Sequence, residues 1–422
     1  MRSNGKGRKL GDFREINASV TLIPAAYSVK AVSLFSGAGG LDWGLKSAGF
    51  KIAFAVDVNE AAAETYASNF GMRLCRDCAE EGAVSIADVR KLSFKGLQAD
   101  VVVGGPPCQD FSVVRGPRRP GLATERGKLY KEFARALREI RPVAYIFENV
   151  PGMLDGGIAA AVRAFERSGY TTAFAGVVDF SALGVPQKRE RLVVIGVRSD
   201  LRDAAEEVRR GLEAALSGPF AKAPLTAMEV LEGRPLDELQ EVYEEVMMAW
   251  RGVWEVVGTE RALRWKRDVW DKLMLDIIRD YEAINGVRLD GDLLRARREV
   301  LKELGYYGVP ACAEDPGDGT CSPPADSPQV LERLRRIPPG EGASFLDGTP
   351  WAVRHRGISL IYRRLHPLKP AYTVVAYGGG GTHGYHYRRD RATLKLRERA
   401  RLQTFPDSFL FAGTKTEIRA QI

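Results

Sequence analysis

Short apolar runs alternate with helix-like stretches between Lys30 and Arg198, and this rhythm constrains the fold more than any other feature of the chain. Each run has the length of a buried strand. The alternation predicts an α/β fold with a doubly wound, mostly parallel sheet, whose ligand lies beyond the carboxyl ends of the strands. The predicted strands are Ala31–Phe35, Ile52–Val56, Val101–Val103, Val143–Phe147, Thr172–Val178 and Leu192–Val197, and the predicted helices are Leu41–Ala48, Glu60–Asn69 and Leu129–Ile140.

The chain changes character after Arg198. Residues 201–215 and 226–305 have helical patterns rich in Glu, Arg and Leu, whereas residues 311–328 are a loop rich in Pro, Gly and Asp. From residue 358 the chain is basic, with clusters of Gly, Tyr and His. Four tryptophans with mostly helical spacing favour a local core over platforms for base stacking. They are Trp250, Trp254, Trp265 and Trp270.

Composition and net charge limit the classes of protein to which the chain can belong. The 422 residues are 45% hydrophobic and 27% charged, which predicts a soluble globular protein with room for two or three domains. The net charge of +8 and the isoelectric point near 9.2 suit a polyanion such as nucleic acid, although a basic protein without such a partner has the same charge. We expect no membrane span and no secretion signal, and five cysteines favour a reducing cytoplasm.

A glycine-rich turn follows the first predicted strand, at residues 36–40. Its spacing is not that of a dinucleotide fingerprint, because Asp42 stands where a third glycine belongs. Asp57 ends the next strand and Asp88 follows a third short strand, and carboxylates at such points accept hydrogen bonds from ribose hydroxyls. Either acid alone is equally consistent with a helix cap. Together, the three features favour an adenosine ligand without a phosphate site, which is the form of S-adenosylmethionine.

A third strand end displays a thiol. Gly104-Gly105-Pro106-Pro107 precedes Cys108, so that prolines fix the backbone and glycines allow close approach to another molecule. A free cysteine is more often an ordinary packed residue. This arrangement instead predicts an exposed nucleophile.

In its ordered motifs the chain resembles DNA (cytosine-5) methyltransferases. The motifs are LFSGAGGLDWGL (34–45), AVDVNE (55–60), DVR (88–90), GGPPCQDFS (104–112), ENV (148–150), QKRERL (187–192), RRLHPLKPAYT (363–373) and LRERARLQTFPD (396–407). The resemblance implies a catalytic domain (30–198), a smaller target-recognition domain (199–390) and a segment that returns to the catalytic domain (391–422). We further expect an N-terminal extension (1–29) and, because residues 226–305 are longer and more helical than the family pattern needs, a helical insertion there.

The resemblance also implies a covalent mechanism. Cys108 attacks carbon 6 of cytosine, and Glu148 protonates ring nitrogen 3. Asn149 orients the loop, and Arg189 and Arg191 hold the base and the thiol loop. A helix cap at Glu148 and a solvated charge run at 187–191 are the structural alternatives. The residues expected to bind S-adenosylmethionine, and its product S-adenosylhomocysteine, are Phe35, Ser36, Gly37, Gly39, Gly40, Asp57, Val58, Asp88, Val89 and Pro107.

Cytosine in a duplex must be flipped out to reach the thiol. Residues 112–127 are rich in Arg and Gly and resemble a loop that closes over DNA, although a surface loop has the same composition. The glycine-rich segment 378–387 allows close approach to the DNA backbone. The residues expected to contact DNA are Gln109, Ser112, Arg115, Arg118, Arg119, Arg126, Gly379, Gly380 and His383.

The expected partner is double-stranded DNA, bound by a monomer, with a restriction endonuclease acting on the same site. Methylation of RNA, or a DNA-binding subunit that needs a complementing C-terminal polypeptide, are the competing functions. The DNA-binding subunit is an alternative because the chain stops at Arg419-Ala420-Gln421-Ile422, where a Gly-Asn block and a further helix usually follow in the family. Asp110, where many relatives have a small residue or Pro, would raise the pKa of the thiol slightly.

No metal is expected. His383 and His386 lack further ligands nearby, so a DNA or structural contact is the preferred interpretation. Two cysteine pairs would give a four-thiol zinc site or local disulfides. The spacing of the second pair is wide for zinc. The pairs are Cys75 with Cys78 and Cys312 with Cys321.

Overall fold

The computed structural model describes residues 28–107, 124, 126–353, 361–376 and 384–422. Several predicted site residues lie outside these ranges. They are Cys108, Gln109, Asp110, Ser112, Arg115, Arg118, Arg119, Gly379, Gly380 and His383.

An eight-stranded sheet organises the first half of the described chain, which confirms the predicted fold class. Its order is β3-β4-β2-β1-β5-β6-β8-β7, and all pairings are parallel except those of β8, which runs antiparallel to both neighbours. The reversal brings the first residues of β8 to the edge where the parallel strands end. The strands are β1 (Lys30–Leu34), β2 (Lys51–Asp57), β3 (Arg73–Arg76), β4 (Ala83–Ile86), β5 (Val101–Gly104), β6 (Ala144–Asn149), β7 (Tyr170–Asp179) and β8 (Glu190–Arg198).

Helices cover both faces of this sheet. Val32 of β1 packs with Phe133 and Phe165 on one face, whereas its neighbour Ala31 packs with Tyr66 on the other, because successive strand residues point to opposite faces. The three predicted helices match the structure to within one residue at each end. The helices are α1 (Gly40–Ser47), α2 (Glu60–Phe70), α3 (Tyr130–Ile140) and α4 (Ile158–Glu166).

Two strand predictions need correction. No strand was predicted at β3, because this edge strand is mostly exposed and lacks an apolar run. Phe35 was placed in the first strand, but β1 ends at Leu34 and Phe35 has a φ of +56°. Phe35 is therefore the first residue of the glycine turn.

Helices dominate residues 204–334, as predicted. Two apolar clusters form here, one around Tyr243 and Tyr281 and the other around Trp250 and Phe345. Trp250, Trp254 and Trp265 are buried in the second cluster and the partly buried Trp270 packs against both, which confirms their predicted structural role. The helices are α5 (Ala204–Leu216), α6 (Ala227–Glu232), α7 (Gln240–Met248), α8 (Val253–Val257), α9 (Glu260–Asp268), α10 (Ile277–Asn285), α11 (Gly291–Glu303) and α12 (Pro328–Leu334).

The C-terminal segment returns to the sheet. It contains α13 (Leu396–Leu402), whose seven residues are all buried, and α14 (Lys415–Gln421). Phe405 and Phe409 of the connection pack against Trp43 of α1. The connection therefore lies against the sheet-containing half of the chain, and the predicted domain boundaries stay predictions.

Four cysteines form two local disulfides, Cys75–Cys78 and Cys312–Cys321. In the structure these cysteines therefore favour the disulfide alternative over a four-thiol zinc site. The cysteine count alone favoured a reducing compartment. Disulfides are rare in the cytosol of mesophiles but common in intracellular proteins of hyperthermophiles.

None of the helices in the described ranges is long and apolar enough to cross a membrane.

Candidate active site

Five segments singled out in the sequence meet where the parallel strands end. β1 leads into the glycine turn at residues 35–40, β2 ends in Asp57, and β5 leads into Gly105-Pro106-Pro107. β6 ends in Glu148 and Asn149, and the antiparallel β8 brings Arg191 to the same edge. This is the edge at which doubly wound sheets bind their ligands.

The glycine turn depends on left-handed backbone. Phe35, Gly37 and Gly39 have φ values of +56°, +53° and +95°. A Cβ atom on Gly39 would lie 2.6 Å from Phe70 and 2.9 Å from Tyr66, so only glycine fits there. A Cβ atom on Gly37 would meet nothing within 4 Å, because that side of the turn is open.

Asp57 holds this turn from the neighbouring strand. Its Oδ2 accepts a hydrogen bond from the Gly37 backbone N–H at 2.8 Å, and its Oδ1 accepts one from the Asn59 N–H at 2.8 Å. Burial raises the pKa of Asp57 above its ordinary value, while these backbone donors act in the opposite direction. The next residue, Val58, is 73% exposed. An exposed apolar side chain beside a fixed carboxylate suits a nucleoside, whose ribose is polar and whose base is flat.

Asp88 and Val89 have other contacts. The Asp88 carboxylate accepts hydrogen bonds from the backbone and side chain of Arg90, and the side-chain bond lowers the pKa of Asp88. Val89 is 4% exposed and packs in the sheet core, so only its backbone is available to a ligand. The predicted cofactor contacts of these two residues stay predictions.

The segment that leads to Cys108 is anchored to the end of β6. Asn149 is buried, and its Nδ2 donates to the Pro106 carbonyl oxygen at 3.1 Å. A Cβ atom on Gly105 would lie 2.8 Å from Glu148 Oε2. Glycine at this position therefore lets the backbone pass directly against the carboxylate, and Asn149 holds it there. The adjacent Pro107 is exposed.

Glu148, the predicted proton donor, has well-defined contacts at this edge. Its Oε1 lies 2.9 Å from Arg191 Nε, and its side chain keeps 32% of its surface exposed. Burial raises the pKa of Glu148 above its ordinary value, and the positive charges of Arg191 and Arg189 oppose that rise. The structure thus brings together the carboxyl group and both arginines that the sequence singled out.

The remaining described residues that the sequence singled out have separate surroundings. A Cβ atom on Gly40 would lie 3.0 Å from Phe405, which shows how closely the C-terminal segment approaches the turn. Arg126 begins a short 3₁₀ turn before α3. His386 is buried, accepts a hydrogen bond from the Arg388 N–H at 3.1 Å, and has its pKa lowered by burial. Its role is structural.

Sequence reasoning missed Asp42, which lies behind the glycine turn. Asp42 is fully buried in α1, and its Oδ2 accepts a hydrogen bond from Ser33 Oγ of β1 at 2.7 Å. Burial raises the pKa of Asp42 to about 6. An acid in the first turn of a helix is usually exposed, so the sequence carried no signal for this buried pair.

Comparisons with known proteins agree with this geometry. Residues 29–246 match the family model for C-5 cytosine-specific DNA methylases. The chain is 51% identical to the DNA (cytosine-5-)-methyltransferase M.ApeKI of Aeropyrum pernix, over 93% of this chain and 94% of that protein. It is 30% identical to the type II methyltransferase M.NgoFVII of Neisseria gonorrhoeae, over 93% and 82% of the two chains.

A solved structure shares the fold of this chain. A crystal structure described as a DNA modification methyltransferase encoded within an E. coli prophage superimposes with a TM-score of 0.56 at 23% identity, over 93% of both chains. At that identity the likeness shows the fold alone. The family model and the full-length relatives show the family: the chain belongs to the C-5 cytosine-specific DNA methylases.

Proposed function

We propose that this chain transfers a methyl group from S-adenosylmethionine to carbon 5 of cytosine at a specific site in double-stranded DNA. One observation carries the proposal: Glu148 lies 2.9 Å from Arg191 and directly against Gly105, three residues before Cys108. A proton donor, two cations and the start of the thiol loop therefore share one strand edge. Family membership and the type II name of the relative M.NgoFVII support the same function.

The glycine turn fits S-adenosylmethionine. Ser36 Oγ is buried and has no hydrogen-bond partner among the described residues, so it is available to a polar group of a ligand. The open side of Gly37 leaves room for close approach, and Asp57 and Val58 offer a carboxylate and an apolar surface. When bound, S-adenosylmethionine supplies an electrophilic methyl group at its sulfonium sulfur. We assign Phe35, Gly39, Gly40 and Pro107 to the same site.

The residues of the chain prepare the cytosine for that methyl group. The thiolate of Cys108 adds to carbon 6, which moves electron density to carbon 5. Glu148 donates a proton to nitrogen 3, and its raised pKa keeps more of it protonated near neutral pH. After carbon 5 is methylated, its proton passes to solvent, the thiolate leaves carbon 6, and nitrogen 3 returns its proton to Glu148, which restores the neutral aromatic ring.

The two arginines have a different task. Arg191 fixes the Glu148 carboxyl group through its Nε, and the charge of Arg189 acts on the same carboxyl group. Cations here also favour the thiolate of a neighbouring cysteine. Asn149 orients the thiol loop through Pro106.

We further propose a monomeric enzyme that acts in the cytoplasm beside a restriction endonuclease for the same site. DNA binding is assigned to the segments around 109–126 and 378–387, and target recognition to residues 199–390. The net charge of +8 supports this assignment, because phosphate contacts dominate affinity for DNA. A complementing C-terminal polypeptide stays an untested prediction.

Bisulfite mapping of a plasmid from bacteria that express this chain tests the function. We expect cytosine methylation at one recurring sequence, and none when Cys108→Ser is expressed to the same level. Unmodified plasmid DNA together with methylated tRNA would replace the proposal with RNA methylation. Unmodified DNA that the purified chain still binds would indicate a DNA-binding subunit.

A further inference from the structure

The side chain of Gln187 joins two distant parts of the chain. It is fully buried, two residues before Arg189. Its Nε2 donates to the Leu402 carbonyl oxygen at 2.8 Å, and its Oε1 accepts from the Val374 N–H at 2.9 Å. The amide therefore uses both of its ends on segments about two hundred residues away.

Backbone contacts strengthen the same junction. The Lys188 N–H donates to the Ala371 carbonyl at 2.9 Å, and the Ala371 N–H donates to the Pro186 carbonyl at 2.8 Å. Thr373 Oγ1 donates to the Lys188 carbonyl at 2.5 Å. Residues 186–188 and 371–374 thus run side by side as a short parallel bridge, with Gln187 buried between them.

The residues that Gln187 and its neighbours bind pack in or against the core of the recognition region. Leu402 and Ala371 pack in the apolar cluster of Tyr243 and Tyr281. Arg401, next to Leu402, donates to the Val230 and Val309 carbonyl oxygens at 3.0 and 2.8 Å. The backbone groups that Gln187 binds therefore belong to residues packed in or against this cluster.

The near side of the junction belongs to the catalytic edge. Arg189 follows Gln187 after one residue, and its carbonyl oxygen accepts from the Phe180 N–H at 3.0 Å. Arg191 then contacts Glu148. Val374, on the other strand of the bridge, is four residues before the glycine-rich segment proposed to contact DNA. The path from Val374 to the Glu148 carboxyl group is thus short, running through Gln187 and the segment that carries Arg191.

We propose that Gln187 is a positioning residue that couples binding of the recognition region to DNA with the placement of Arg189 and Arg191 in the catalytic pocket. The proposal rests on the proposed DNA methylation. A buried amide that only stabilised the fold would also be satisfied by two contacts. What distinguishes Gln187 is that both partners, Val374 and Leu402, pack in or against the apolar cluster of the recognition region, while its own segment continues to Arg189 and Arg191.

The test compares Gln187→Ala with Asn69→Ala. Asn69 is a matched control, because its amide also joins the sheet to a distant segment, with Nδ2 donating to the Leu410 carbonyl at 2.7 Å and Oδ1 accepting from the Leu410 N–H at 2.9 Å. It does not contact residues 186–191. Gln187→Glu is a third variant, which keeps the acceptor for Val374 but places an oxygen against the Leu402 carbonyl.

Steady-state kinetics on cognate DNA, at a temperature where circular dichroism shows every variant folded, separate the two roles. We expect Gln187→Ala and Gln187→Glu to lower kcat about tenfold or more while KM for DNA changes less than about threefold, and Asn69→Ala to leave both within about threefold. Equal effects of Gln187→Ala and Asn69→Ala, or a change in thermal stability alone, would overturn the proposal.

Hydrogen exchange keeps the coupling separate from the proposed function. We expect DNA to protect the amides of residues 187–191 in the wild-type chain and in Asn69→Ala, but not in Gln187→Ala. This readout decides the coupling even if the wild-type chain proves unable to methylate DNA, which would count against the proposed function instead. Absence of DNA-dependent protection in the wild-type chain would contradict the coupling.

Discussion

Replacing Gly105 by alanine should disable the acid without disturbing the fold. The new Cβ would lie 2.8 Å from Glu148 Oε2, whereas ordinary contacts begin at 3.4 Å, so the carboxylate must retreat. A retreat of about 0.6 Å would lengthen the 2.9 Å contact with Arg191 Nε and move the proton away from the base. Misplacements near 1 Å cost on the order of 100-fold in rate, so we expect kcat to fall about 10- to 100-fold.

The assay is transfer of a tritiated methyl group to DNA under saturating conditions. Gly44→Ala is the matched control, because Gly44 lies inside α1 and a Cβ atom there would meet nothing within 4 Å. It should keep wild-type turnover and gain up to about 1 kcal/mol of stability from the better helix former. Wild-type turnover in Gly105→Ala would refute the close packing of the thiol loop against Glu148.

Three further predictions follow from charge and redox state. Glu148→Gln keeps the size of the side chain but has no acidic proton, so we expect kcat to fall at least about 100-fold. In the wild-type enzyme, we expect turnover to decline on the alkaline side as Glu148 loses its proton. Profiles of kcat against pH check both expectations. Because the pKa of Asp42 is raised to about 6, the folded state binds an extra proton between pH 4 and 6. Chemical denaturation should therefore show that the free energy of unfolding of the wild type falls by about 3 kcal/mol relative to that of Asp42→Asn as the pH rises from 4 to above 6. Parallel plots of the free energy of unfolding against pH for the two proteins would contradict this. Thiol titration of the denatured, unreduced chain should find about one of the five cysteines free, and five free thiols would contradict the two disulfides.

The sheet could be predicted because its strands are apolar runs bounded by turns. β1, β2, β5 and β6 are nearly continuous apolar segments, as expected for strands covered on both faces. β3 escaped prediction because an exposed edge strand needs no apolar pattern. The site followed from topology, since residues placed directly after parallel strands must meet at one edge.

Buried charge could not be predicted. The segment Leu396–Leu402 carries three arginines and a glutamate and reads as a solvated surface, yet every residue of it is buried. Arg397 pairs with Asp318 at 2.7 Å, and Arg401 Nε with Asp407 at 2.9 Å. Each partner is set by the tertiary fold, so local pattern does not reveal the pairing. The junction of Gln187 with Val374 and Leu402 escaped prediction for the same reason.

The central claim is covalent attack by Cys108 on a flipped cytosine. DNA that carries 5-fluorocytosine at the mapped target tests it, because fluorine cannot leave from carbon 5 as a proton does. With S-adenosylmethionine present, we expect mass spectrometry to find a stable adduct between this DNA and the peptide that contains Cys108, and none with Cys108→Ser. Turnover of the target without an adduct, or an adduct at another residue, would contradict the account.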